Sequence, residues 1–202
     1  PSEMCIRDRK LAEETARAIE RNGGIKTYQA ASKQGQAKDR GGDSSKLLVE
    51  WLQQSKVLDP KARDRRSTGN AKLRCLEVGA LSTKNEISKY SSAIDMTRID
   101  LNSQGPGIEK QDFMERPLPT CDDERFDIIS LSLVLNYVPD AVGRGEMLKR
   151  ITEFFRKSSV PTETSESFFP ALFFVLPLPC VDNSRYLDEQ LLLSLIHISD
   201  GA

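Results

Sequence analysis

Residues 73–101 constrain the fold more than any other part of this chain, because a strand, a glycine turn, a polar stretch and a second strand follow one another there. The first strand leads into Glu77 and Gly79, and the second ends at Asp100, 21 positions after Gly79. A glycine lets the backbone approach a ligand closely, and a carboxylate about 20 residues later can accept hydrogen bonds from ribose hydroxyls. The segment therefore predicts a nucleotide-binding β–α–β unit.

Composition places the chain among ordinary globular proteins. Its 202 residues are enough for one domain with a sizeable core, and 29% are charged and 38% hydrophobic. The net charge of −1 gives no indication of nucleic acid, and no apolar run is long enough to span a bilayer. We expect no zinc site or disulfide framework, and a reducing compartment, because the cysteines are scattered without CxxC spacing. They are Cys5, Cys75, Cys121 and Cys180.

The two ends resemble translated sequencing-adapter sequence, so we expect residues 1–9 and 193–202 to be foreign and the natural chain to extend beyond both ends. The only histidine, His197, lies in the second of these segments, so we predict no histidine-based catalysis and no metal site. Between the ends we expect a helical cap at 10–58, a basic linker at 59–72 and an incomplete α/β domain at 73–192.

Strands and helices alternate through the α/β domain, a pattern typical of a parallel sheet. Strands are expected at 74–78, 93–99, 108–111, 125–134 and 171–176. Thr83 and Glu86 form a capping box that predicts a helix after the first strand, and a further helix is expected at 145–157. Before the domain, a helix at 46–54 is expected to bury four apolar side chains: Leu47, Leu48, Trp51 and Leu52.

The turn after the first strand has one glycine, whereas a dinucleotide fingerprint has three. This argues against a nicotinamide-dependent oxidoreductase. S-adenosylmethionine has no phosphate, so the single close-approach Gly79 is sufficient for it, and Glu77 suits its cationic end. The expected cofactor is therefore S-adenosylmethionine. The alternative is that Gly79 makes an ordinary turn and that the nearby carboxylates are ordinary surface groups.

The ends of the next strands complete this predicted site. Asp112 could pair with the adenine amino group, while Phe113 could bring its ring or its backbone near the base. Ser132 is expected to line the cofactor pocket. Beyond it, Asn136 could hydrogen-bond the edge of a target adenine and Tyr137 could stack on it. The alternative is that Asn136 caps a turn and Tyr137 packs beneath it.

Five segments of the chain resemble the fungal methyltransferase family that methylates adenine N1 in large-subunit (25S) rRNA, whose animal homologue is an S-adenosylmethionine sensor acting on the TOR pathway. They are 28–52, 76–88, 98–119, 125–150 and 171–187. The resemblance implies a Rossmann-like class I methyltransferase fold with an N-terminal helical extension. It also implies that Gly79, Asp100, Asp112 and Phe113 bind the cofactor and that Arg40 closes the N-terminal helices over it.

Two functions remain open at this point. The first is an enzyme that methylates adenine N1 in rRNA, located in the nucleus and nucleolus by resemblance to the family. Such transfer needs alignment of two atoms rather than a nucleophile of the enzyme. The second is a non-catalytic S-adenosylmethionine sensor with a protein partner, located in the cytoplasm. The basic segment 61–74 could contact rRNA phosphates or could be a solvated linker.

Overall fold

A computed structural model describes residues 43–59, 72–103, 105–157, 169–178 and 180. The described residues contain a sheet of five parallel strands in the order β3-β2-β1-β4-β5. The strands are β1 (Leu73–Val78), β2 (Ile94–Asp100), β3 (Glu109–Lys110), β4 (Ile128–Ser132) and β5 (Ala171–Val175). Two α-helices accompany them, α1 (Ser45–Gln54) and α2 (Ala141–Glu153). This is the α/β Rossmann-like architecture that the sequence predicts.

The strand order reverses between β1 and β4, both of which lie inside the sheet. In parallel α/β sheets, ligands bind outside the carboxyl ends of the strands at such a switch point. We call this end the carboxyl edge and the opposite end the amino edge. The strand β4 is apolar along most of its length because both of its faces are covered, and four of its five residues are buried.

One face of the sheet packs against α1 and a short 3-10 helix, Glu86–Tyr90. Ser45, at the start of α1, accepts a hydrogen bond at its Oγ from the backbone N–H of Ile87, at 3.2 Å, which joins the two helices. The buried cluster here is Leu48, Val49, Leu52, Val57, Leu73, Cys75, Ile87, Ala93, Ile94, Ile128 and Phe173. The thiol of Cys75 is part of this core, and burial raises its pKa.

The other face packs against α2, which presents Met147, Ile151 and the following Phe154 to the sheet, as the helical spacing predicts. Leu148 and Phe155 are only partly buried there. The buried cluster is Leu76, Val78, Ile99, Phe113, Phe126, Ile129, Leu131, Leu135, Met147, Ile151 and Phe154. The two faces therefore have separate apolar cores that meet through the sheet.

Two local predictions are wrong. The helix after β1 is a 3-10 helix that begins at Glu86 after Asn85, so Thr83 does not cap it. In α1, the buried face includes Leu48, Val49 and Leu52, whereas Leu47 and Trp51 are 43% and 50% exposed. The ring of Trp51 makes an edge contact with Phe173 of the sheet, with 5.6 Å between the ring centroids.

The remaining predicted elements lie partly outside the described residues. These include most of the helical cap expected at 10–58 and most of the basic segment 61–74. Cys121 and Cys180 are both exposed. No helix among the described residues has both the length and the apolarity that a membrane span requires.

Candidate functional site

The turn after β1 meets the loop after β4 at the switch point. Gly79 has a φ of +76°, a conformation that side chains with a Cβ rarely adopt, and a Cβ there would lie 2.5 Å from Cγ2 of Val134. Its backbone N–H donates to the carbonyl of Ile99 at 2.9 Å, and that of Ala80 donates to the same oxygen at 3.1 Å. This position therefore requires glycine, and the close packing brings bare backbone to the carboxyl edge.

Asp100 ends β2 beside this turn, as predicted. Its Oδ1 accepts a hydrogen bond from the backbone N–H of Asn102 at 2.8 Å, which folds the chain away from the strand. The half-buried carboxylate thus lies at the carboxyl edge, one residue after the Ile99 carbonyl that holds the glycine turn. The following Leu101 is 61% exposed, so an apolar surface adjoins the carboxylate.

Asp112 lies at the same edge, because β2 and β3 pair with Asp100 opposite Lys110 and the Gln111 N–H donates to the Asp100 carbonyl at 3.0 Å. The Asp112 carboxylate makes the same kind of turn, since its Oδ1 accepts from the Met114 N–H at 2.7 Å. The sheet therefore brings the two predicted acids to adjacent strand ends.

Phe113 does not fill one of the two roles that the sequence predicts for it. Its ring is 3% exposed and packs on Phe154, with 5.2 Å between the centroids. The ring is thus part of the core and cannot stack on a bound base. The other predicted role, in which the backbone of Phe113 lies near a base, remains compatible with its place directly after Asp112.

Glu77 makes hydrogen bonds and an ion pair within the fold that the sequence does not predict. Its Oε1 accepts from Nδ2 of Asn85 at 2.9 Å, and its Oε2 pairs with Nε of Arg98 at 3.2 Å. Arg98, whose side chain is 10% exposed, also donates to Oγ of Ser88 at 2.8 Å. Glu77 therefore already has a cationic partner, and its carboxylate fixes the chain that follows the glycine turn. Sequence reasoning missed Arg98, although Arg98 lies opposite Glu77 in the β1–β2 register.

The loop after β4 is strained and contains an unpaired polar atom. Leu133 has a φ of +56°, which is uncommon for a residue with a branched side chain, and it directly follows the predicted pocket residue Ser132. The Oδ1 atom of Asn136 is buried without a hydrogen-bond partner in the described part of the chain. Tyr137 is 45% exposed. Asn136 therefore does not cap a turn through this oxygen, while the side chain of Tyr137 is partly covered by the fold.

Buried polar atoms are nearly always paired, so an orphan acceptor such as Asn136 Oδ1 points to a missing donor. It marks an unsatisfied acceptor in this loop, at an atom that the surrounding residues cover. The described residues hold no group of three His, Cys, Asp or Glu side chains placed to bind a metal ion. The predicted closing residue Arg40 lies outside the described residues.

Comparisons of this sequence with known proteins agree with this geometry. A family model described as 25S rRNA (adenine(2142)-N(1))-methyltransferase matches residues 13–199. A Saccharomyces cerevisiae protein named 25S rRNA (adenine(2142)-N(1))-methyltransferase is 42% identical over 178 residues, which is 88% of this chain and 46% of that protein. A Schizosaccharomyces pombe protein named 25S rRNA adenine-N(1) methyltransferase is 39% identical over 175 residues, 87% of this chain and 59% of that protein. The chain therefore spans about half the length of these curated relatives.

Proposed function

Because this chain belongs to the Bmt2 family of 25S rRNA (adenine(2142)-N(1))-methyltransferases, we propose that it is part of an enzyme that transfers a methyl group from S-adenosylmethionine to N1 of an adenine in large-subunit rRNA. The observation that carries the proposal is the convergence of Gly79, Asp100 and Asp112 on one edge of the sheet, beside the switch point. These three strand-end positions fit a nucleoside-bearing methyl donor better than a dinucleotide.

The cofactor fits the residues that are present. At Gly79 the φ is positive and a Cβ would overlap Val134, so only glycine allows this tight turn, whose backbone would contact the ligand at the carboxyl edge. Asp100 would accept hydrogen bonds from the ribose hydroxyls, and Asp112 would accept one from the adenine amino group, since carboxylates accept such bonds strongly. The exposed Leu101 offers an apolar surface to the base.

Glu77 would act at the methionine end of the cofactor. Since Arg98 already neutralises much of its charge, its main contribution would be to hold the turn through Asn85 and Arg98. The half-buried Ser132 would line the pocket at the end of β4. Arg40 is proposed to close over the ligand on the basis of the family resemblance alone.

This methyl transfer requires that the reacting atoms are aligned, and it does not require a group that accepts a proton. Adenine N1 has a lone pair at neutral pH, and the sulfonium supplies an electrophilic methyl group. The N–C bond forms as the S–C bond breaks, the sulfur keeps the electron pair, and the positive charge passes to the base. The chain has to keep the adenine out of its helix and in line with the methyl group. No reactive thiol is needed, and Cys75 is buried with a raised pKa.

The target adenine would lie against the loop after β4. The unpaired Oδ1 of Asn136 is covered in this structure, so a shift of the loop would have to expose it. It would then accept a hydrogen bond from the adenine N6 amino group and orient N1 toward the cofactor. The exposed ring of Tyr137 can stack on the base, as aromatic side chains do in RNA recognition. Lysines and arginines in the segment 61–74 could contact phosphates.

A non-catalytic sensor of S-adenosylmethionine would use the same cofactor pocket. The relatives described above carry the names of rRNA methyltransferases, which favours the enzyme. An enzyme of this kind would work in the nucleolus. A tagged full-length protein should co-localise with a nucleolar marker, whereas a cytoplasmic signal would contradict this location.

The test is methyl transfer by a full-length protein that contains this chain. Radiolabelled S-adenosylmethionine and large-subunit rRNA should give N1-methyladenine after nuclease digestion. Asn136→Ala should lower the transfer rate by about 100-fold because it removes the acceptor that orients the base, while cofactor affinity changes less than twofold. Gln54→Ala is the control, since it removes a side-chain amide at the end of α1, where its Nε2 donates to Glu50 of the same helix, and it should leave the transfer rate unchanged. Cofactor binding without any transfer to rRNA would instead support the sensor.

A further inference from the structure

The helix α2 reaches both loops of the proposed site through two arginines. Arg150 donates from Nε to the carbonyl of Phe113 at 3.0 Å, and its Nη2 donates to the carbonyl of Arg116. Arg144 donates from Nη1 to the carbonyls of Val138 at 2.8 Å and Pro139 at 3.3 Å. One helix thus holds the loop after β3 and the loop after β4 by side chain to backbone bonds.

The contacts of Arg150 bear directly on Asp112. The chain from Asp112 to Arg116 forms a turn in which Oδ1 of Asp112 accepts from the Met114 N–H. The guanidinium of Arg150 binds carbonyls at the start and the end of this turn, and its planar fork fixes their separation. It also lies over the Phe113 ring, 6.0 Å from the centroid, which holds that ring in the core. A shorter or apolar side chain would release the turn.

The contacts of Arg144 bear on the other loop. Val138 directly follows the short 3-10 helix Leu135–Tyr137, which contains the unpaired Asn136 and the exposed Tyr137. By binding the carbonyls of Val138 and Pro139, Arg144 fixes the end of this 3-10 helix to the first turns of α2. Asp140 caps α2 through a bond from the Gly143 N–H at 2.7 Å, so the anchor point is itself rigid.

We infer that Arg150 and Arg144 are positioning residues with separate tasks: Arg150 sets the cofactor-binding turn at Asp112, and Arg144 sets the base-binding loop at Asn136. Because both arginines project from one helix, α2 also fixes the distance between these two loops. The inference rests on the proposed function, since it names the supports of that same site. Neither arginine is proposed to touch cofactor or base.

The test compares three arginine variants of the full-length protein. Arg150→Met should raise the dissociation constant for S-adenosylmethionine by about tenfold, measured by calorimetry, because the turn loses both of its anchors. Arg144→Met should leave that constant within twofold and lower kcat/KM for rRNA by about tenfold. Arg125→Met is the matched control: Arg125 also binds backbone carbonyls, those of Glu153 and Pro119, but far from the proposed site. It should change neither quantity.

If the arginines only stabilised the fold, all three variants would change in stability and none would differ from the others in cofactor affinity. If Arg150→Met and Arg125→Met lower the melting temperature similarly and both bind cofactor as the wild type does, the inference is overturned. Should Arg150→Met fail to fold, Arg150→Lys keeps the charge and one donor, and it should weaken cofactor binding less than tenfold while leaving kcat unchanged. A wild-type protein that binds no cofactor would overturn the proposed function itself, a result distinct from equal behaviour of the three variants.

Discussion

Asp127 at the amino edge of the sheet and Asp112 at the carboxyl edge are the same residue type in opposite settings. Asp127 is buried and uses both oxygens inside the fold: Oδ2 accepts from the Arg74 N–H at 2.7 Å, and Oδ1 pairs with Nη1 of Arg156 at 3.3 Å. Asp112 is half-buried, and its Oδ1 accepts from its own loop, at Met114. The first acid joins strands together, while the second shapes a loop that can receive a ligand.

This difference extends to the whole of both edges. At the amino edge, the backbone of Asp127 donates to the Arg74 carbonyl at 2.9 Å and accepts from the Ala171 N–H at 2.9 Å, so three strands are tied at one residue. At the carboxyl edge lie a glycine with positive φ, a strained Leu133 and an orphan Asn136 oxygen. Each edge has one buried side-chain atom without a hydrogen-bond partner among the described residues, since Nε of Arg156 at the amino edge also lacks one. The contrast therefore rests on backbone strain, which often occurs at functional sites and supports the proposed site at the carboxyl edge.

The largest expected effect is at Gly79. Gly79→Ala should weaken S-adenosylmethionine binding by about 100-fold, or about 2.7 kcal/mol, because the positive φ is strained and the new Cβ overlaps Val134. Isothermal titration calorimetry on the folded variant measures this. An affinity equal to that of the wild type would remove the glycine turn from the proposed site.

The next effect belongs to the amino edge and should appear in stability alone. Asp127→Ala should lower the free energy of unfolding by about 2 kcal/mol, because the Arg74 N–H and the Arg156 guanidinium lose their shared acceptor. Urea denaturation followed by circular dichroism gives the value. The folded fraction should bind cofactor normally, and a large loss of affinity would mean that the two edges are not independent.

Replacing an acid at the carboxyl edge should instead weaken cofactor binding and leave the stability nearly unchanged. Asp100→Asn keeps an oxygen that can accept from the Asn102 N–H but removes the charge. We expect about tenfold weaker cofactor binding, since charged acceptors make hydrogen bonds about twice as strong as neutral ones. The unfolding free energy should change by less than about 0.5 kcal/mol. A stability loss as large as that of Asp127→Ala would contradict the contrast between the edges.

The smallest expected effect is at Gly145. It tests whether a glycine affects cofactor binding only where its backbone conformation requires glycine. Gly145 lies inside α2, and a Cβ there would meet no atom within 4 Å. Gly145→Ala should therefore raise the free energy of unfolding by about 0.5–1 kcal/mol through better helix propensity. Thermal unfolding measures the gain, and cofactor affinity should remain that of the wild type. A loss of affinity would show that the glycine at 79 is not distinctive.

The parts of the fold that could be predicted from the sequence are those with strong local patterns. The apolar runs that become β4 and β5 were predicted within a few residues, because burial on both faces leaves a continuous hydrophobic signal. The start of α2 was expected at 145 and lies at Ala141. Asp140 caps the helix there, and this favourable cap outweighs the low helix propensity of Gly143 and Gly145.

Features that depend on distant parts of the chain could not be predicted. The Phe113 ring is buried because Phe154 and Arg150 lie beside it, 37 or more positions later in the chain. The orphan oxygen of Asn136 and the pairing of Glu77 with Arg98 likewise depend on how the strands assemble. By contrast, the sequence did place Gly79, Asp100 and Asp112 at the ends of successive strands on one edge, and the three strands are neighbours in the sheet.

The most direct test of the central claim is a crystal structure of the full-length protein with S-adenosylhomocysteine, the product left after methyl transfer. The account predicts that the ligand lies across the carboxyl edge, with its backbone contact at Gly79, its ribose at the Asp100 carboxylate and its adenine beside Asp112. A ligand bound elsewhere, with the Asp100 and Asp112 carboxylates touching only their own loops, would contradict it.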